Sequence, residues 1–66
     1  MKNSLKIERA INNLTQEDLA KQIDVSRQTI NSIETGRYVP STVLALKISK
    51  VFRKPVNEIF ELESSD

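Results

Sequence analysis

The stretch Leu14–Arg37, LTQEDLAKQIDVSRQTINSIETGR, limits what this chain can become more than any other. It reads as two short helices, about residues 16–23 and 27–35, joined by a tight turn. Both open alike. Thr15 can cap the first, with Asp18 three residues on, a variant of the capping box. Ser26 can cap the second, with Thr29 three residues on. The residue before each cap is apolar (Leu14, Val25), and so is the fourth helical residue (Leu19, Ile30), a hydrophobic staple used twice. Short helices are marginal alone, so such caps matter. A plain helical hairpin in a bundle would be capped the same way. The outward face of the second helix is what separates the readings.

At about 100° per residue, Ile30 and Ile33 share one side of the second helix and Gln28 points most nearly opposite. Asn31, Ser32 and Thr35 flank Gln28, and Arg27 lies at one edge. Solvated faces usually carry Glu and Lys; this one carries amides, hydroxyls and one guanidinium. Asn and Gln pair bidentately with adenine, and Arg with guanine, in a major groove wide enough for a helix. A bland polar face is the competing reading.

The run LTQEDLAKQIDVSRQTINSIETGRYVPS resembles the helix-turn-helix of Cro/phage-repressor (XRE) transcriptional regulators. The matching pieces are Thr15-Gln16, Leu19-Ala20, Val25 through Ile30, Ile33-Glu34, Gly36 and Pro40-Ser41. The likeness continues through LALKISKVF and PVNEIFE and so covers nearly the whole chain, as in the small single-domain members.

Composition bounds the alternatives. Sixty-six residues suit one domain, 1–66, near the lower limit for folding without disulfides or metal. Cys and His are both absent, which removes thiol chemistry and the commonest general base and metal ligand. No Gly-rich phosphate loop appears either, so an enzyme is not expected, nor a cofactor or metal. No apolar run approaches a membrane span and no signal peptide is present, so a cytoplasmic location without membrane contact is expected. Residues 1–54 carry ten bases against five acids, giving +5; residues 55–66 carry four acids and no base, giving −4. A basic body with an acidic tail suits a phosphate partner, although chance competes in so short a chain.

A first helix is predicted over Ser4–Asn12, with Leu5, Ile7, Ala10 and Ile11 apolar. The resembled family usually has an apolar residue where Glu8 stands, which predicts a small rotation or repacking of this helix. The family often has Gly at positions held here by Asn13, Asp24 and Arg53. Asn and Asp tolerate a left-handed backbone; Arg53 has no such excuse. Gly36 fits the residue just past the second motif helix. Ser41 caps a long helix, Thr42–Phe52, apolar on two sides: Leu44, Ala45, Ile48, Val51 and Phe52, then Val43 and Leu46. Pro55 starts a last short helix, Val56–Phe60. The ends, Lys2-Asn3 and the alternation at Phe60 and Leu62, are expected to pair as a two-stranded β patch.

The expected fold is all-α, a five-helix lambda-repressor-like domain around Leu19, Ala20, Ile23, Ile30, Ile33, Leu44, Ile48 and Val51. The resemblance implies sequence-specific binding of double-stranded DNA by a transcriptional regulator, a repressor for preference, with the recognition helix in the major groove. Arg27, Gln28, Asn31 and Ser32 are the base-reading candidates, Gln28 first. Gln16 is the phosphate candidate that the resemblance supplies. Arg37 and Tyr38 look like backbone clamps, with Asn13 and Thr35 weaker candidates of the same kind. The resemblance also pairs Arg9 with Glu34 as a structural ion pair. A homodimer on a palindromic operator is expected, with Val56, Ile59, Phe60 and Leu62 at its interface and no small-molecule ligand. The alternative is an interaction module of the same fold, a bridging factor or antitoxin-like partner. It predicts apolar or acidic residues on the exposed helix face.

Overall fold

Three of the five helices begin at the side-chain caps that the sequence offers. The computed structural model describes residues 1–66 and runs β1 (Lys2–Asn3), α1 (Leu5–Ile11), α2 (Gln16–Gln22), α3 (Arg27–Glu34), α4 (Thr42–Phe52), α5 (Val56–Ile59) and β2 (Phe60–Glu61). The Thr15 hydroxyl accepts from the Asp18 N–H while the Asp18 carboxylate accepts from the Thr15 N–H, a closed capping box at the start of α2. That backbone hydrogen bond holds the Asp18 carboxyl below the usual carboxylate range. Ser26 accepts from the Thr29 N–H, and Ser41 from the Leu44 N–H, at the starts of α3 and α4. These bonds satisfy donors that a helix start otherwise leaves unpaired.

The turns follow the same local logic. Asn13, Asp24 and Arg53 all adopt positive φ, at 55°, 59° and 56°. At Arg53 this costs a β-carbon-bearing residue about 1–2 kcal/mol. The turn has a use, because it aims Lys54 back toward α1.

The inward face of α1 is settled by burial: Ile7 is 62 % exposed, and Ile11 is exposed too. Glu8 instead occupies the inward position at 5 % exposure, with Lys54 Nζ 2.8 Å from its Oε2. Leu5 is the apolar residue that α1 sends into the core. The pairing lets a carboxylate stand where an aliphatic group would fit. The Glu8 hydrogen bond in turn raises Lys54 above the ordinary ammonium value.

With Glu8 buried and Lys54 exposed, the pair itself stabilises little, yet removing the lysine leaves a buried carboxylate without its partner. Glu8→Leu is therefore expected to leave the melting temperature equal or higher. Lys54→Ala should lower it, by removing the only charge shown opposite Glu8. Thermal denaturation followed by circular dichroism checks both. A Glu8→Leu chain that melts far earlier than Lys54→Ala would contradict this account.

The core holds Leu5, Leu19, Ala20, Ile23, Ile30, Ile33, Leu44, Ile48, Phe52, Ile59 and Phe60. Val51 is only partly buried against it, and Val43 and Leu46 stay exposed, so α4 is covered on one side rather than two.

The β patch forms as expected: Lys2 pairs with Glu61 and Asn3 with Phe60, antiparallel. Asn3 also ties it to the helices. Its Oδ1 accepts from the Leu5 N–H (3.1 Å), and its Nδ2 donates to the Ile33 carbonyl near the end of α3 (2.9 Å).

Candidate nucleic-acid interface

α3 is held at both ends and along its inner face, and its outer face is free. Ile30 and Ile33 anchor it in the core. At its end, Gly36 at φ 78° lets the chain reverse, and the Arg37 and Tyr38 N–H groups donate back to the Ser32 carbonyl at 2.9 and 3.2 Å. Thr35 Oγ1 donates to the Asn31 carbonyl at 2.9 Å. The Thr35 hydroxyl is thus closing the helix, while its side remains exposed.

Arg9 sets the angle of α3. Its guanidinium grips the Glu34 carboxylate through Nε and through Nη2 (3.0 Å), and its Nη1 donates to the Leu14 carbonyl at 3.0 Å. The two side chains are 14 % and 6 % exposed, so this fork is largely out of water. The Glu34 hydrogen bond raises the Arg9 pKa further. One guanidinium thereby fastens α1, the turn before α2, and the end of α3.

The side chains singled out for base reading lie together on the outer face. Arg27, Gln28 and Asn31 are exposed and Ser32 is half-buried. Ser26, Gln28, Thr29, Ser32 and Tyr38 line one open polar depression beside it. Arg37 and Tyr38 flank the end of α3, and both are exposed. Asn13 sits exposed in the turn before α2. No charged side chain occupies the centre of the α3 face, and its edge carries the Arg27 guanidinium; a donor-rich surface with a positive edge complements base edges and phosphates.

Gln16 departs from a simple phosphate role. Its Nε2 lies 3.3 Å from Asn31 Oδ1 and 3.3 Å from Glu34 Oε1, so both amide hydrogens have acceptors inside the protein. Sequence reasoning missed this bridge, since nothing local marks a contact across fifteen residues.

The C-terminal surface also differs from expectation. Ile59 is 2 % exposed and Phe60 is also buried; both belong to this chain's own core and are not free to face a partner. A four-residue α5 followed directly by β2 turns both inward. Val56 is partly buried and Leu62 is 77 % exposed. Apolar surface lies instead along a groove that includes Val39, Pro40, Ala45, Leu46 and Val56. No group of three or more Asp or Glu is placed to hold a metal ion, and no helix is long and apolar enough to cross a membrane.

Comparison with known proteins places this geometry. The family model described as Helix-turn-helix matches residues 5–59. An HTH-type transcriptional regulator of Methanocaldococcus jannaschii is 56 % identical over 66 residues, all of both chains. The HTH-type transcriptional regulator YgzD of Bacillus subtilis is 46 % identical over 66 residues, again all of both. Among solved structures, the restriction-modification controller protein C.AhdI from Aeromonas hydrophila superposes with a TM-score of 0.77 at 28 % identity, with 85 % of each chain covered.

Proposed function

Because this chain belongs to the XRE-type helix-turn-helix family, we propose that it regulates transcription by laying α3 in the major groove of double-stranded DNA. The carrying observation is the exposed face of Arg27, Gln28, Asn31 and Ser32, presented by a helix capped at both ends and clamped by Arg9–Glu34. Gln28 and Arg27 read base edges. Arg37 and Tyr38, and more weakly Asn13 and Thr35, meet the phosphates. The first N–H groups of α2, at Gln16, favour a phosphate as any helix start does. Occupying a promoter in this way represses it.

Selection of bound sequences from a random DNA pool tests the reading. Gln28→Ala should cost about 1–3 kcal/mol on the selected site and relax the preference at one position. Arg37→Ala should weaken all sequences alike and reduce the salt slope by about one. A selected motif that Gln28→Ala leaves unchanged would remove Gln28 from the readout.

The protein acts as a homodimer on a palindrome. One module of this size reads few base pairs, and two related by a two-fold axis read half-sites roughly 34 Å apart. The molecule measures 31 × 22 × 21 Å, so two touching copies have the right scale. The apolar groove that includes Val39, Pro40, Ala45, Leu46 and Val56 supplies the surface to be covered. Light scattering at micromolar concentration should show a dimer that Leu46→Glu disperses without loss of helical signal. A monomer both free and on a palindromic site would end the dimer proposal.

A further inference from the structure

Four side chains in a row decide which way one amide faces. Arg9 holds the Glu34 carboxylate, and Glu34 Oε1 then lies 3.3 Å from the Gln16 side-chain amide. A carboxylate only accepts hydrogen bonds, so the Gln16 atom facing it is the nitrogen. The same nitrogen lies 3.3 Å from the Asn31 side chain. Its second hydrogen needs an acceptor there, and the only acceptor Asn31 can offer is Oδ1. The Asn31 Nδ2 is the other arm of that planar amide and is left unclaimed on an exposed side chain.

We infer that Gln16 is a specificity-determining, positioning residue: it holds the Asn31 oxygen inward so that α3 presents N–H donors, and not an amide's two edges, to the base pair Asn31 faces. This rests on the reading of α3 as the base-reading helix.

The consequence differs from the usual pairing. A free Asn recognises adenine with both edges, its oxygen accepting from N6 and its nitrogen donating to N7. Asn31 has its oxygen turned to Gln16, so the edge it presents outward is the donor. Guanine offers two acceptors, O6 and N7, in the major groove; adenine offers one acceptor beside a donor, and cytosine offers a donor. A group that presents its donor edge therefore prefers guanine, accepts adenine or thymine less well through their single acceptors, and rejects cytosine. The commitment of both Gln16 hydrogens has a second effect. Its side chain has no donor left for a phosphate, so the contact at the start of α2 falls to backbone N–H groups.

Pool selection with four proteins tests this. Asn31→Ala locates the position, because preference there flattens. The wild type is expected to hold guanine at that position. Gln16→Met keeps the length of the side chain and removes the donor, so it should lower the guanine-to-adenine ratio there about tenfold, toward adenine. Asn31→Asp leaves Gln16 in place but replaces the presented N–H by oxygen, and should lose the guanine preference by a similar factor. The readout is a change of base, which a merely structural Gln16 would not produce. Adenine at this position in the wild type, or guanine retained undiminished in Gln16→Met, overturns the inference while DNA binding stands. A wild type that enriches no motif overturns the binding reading and this inference together.

Discussion

Glu34→Gln should melt roughly 12–24 °C below the wild type, the largest effect expected of any substitution on the α3 scaffold. The change keeps the size and shape of the side chain and removes one charge. It leaves Arg9, 14 % exposed, facing a neutral amide in a place largely shut off from water. Breaking a buried pair by removing one partner costs about 3 kcal/mol, and each kcal/mol moves the melting point of a domain this small by about 4–8 °C. The charge has no easy relief, since Arg9 does not shed its proton. A double change of Arg9→Met with Glu34→Leu should lose less than Glu34→Gln alone, because no unpaired charge then remains. Scanning calorimetry of the three proteins decides it. If Glu34→Gln melts with the wild type, the fork is a surface decoration and α3 is held by its aliphatic residues only.

Ile48→Ala should leave most of the protein unfolded at 25 °C. Ile48 is fully buried, 0 % exposed, on the one side of α4 that meets the core. Truncating such a residue costs about 2–5 kcal/mol, from lost transfer energy and from the cavity left behind. A core in a chain of this length supplies little more than about 3–5 kcal/mol in all. Ile7→Ala is the matched control. It removes the same atoms from a side chain 62 % exposed, and should stay within about 0.5 kcal/mol of the wild type. Urea titration followed by helical ellipticity reads both. A cooperative Ile48→Ala transition near the wild-type midpoint would show that the core lies elsewhere.

These two sites mark how differently the parts of this chain are written into its sequence. The capping box, the serine caps, the staple positions, Gly36 and the outward stripe of α3 involve partners within about four residues. Spacing alone states them, and the structure shows the Thr15, Ser26 and Ser41 caps where they were expected. The strand pairing of Lys2-Asn3 with Phe60-Glu61 also followed from the alternation at the C-terminal end. Arg9 and Glu34 were paired by family resemblance, since nothing local connects residues twenty-five apart.

What tertiary structure alone decided lies at greater separation. The resemblance marked Glu8 as standing where an apolar residue is usual, but not what would meet it. Lys54, forty-six residues on, decides that by arriving opposite Glu8 on the left-handed turn at Arg53. Ile59 and Phe60 looked like surplus apolar residues until the β patch folded them inward. The Asn31 amide is undirected in sequence, and it is oriented only where Gln16 and Glu34 meet. A helix cap is chosen by its nearest neighbours in the chain; a buried charge or an amide's orientation is chosen by whichever polar group the fold brings beside it.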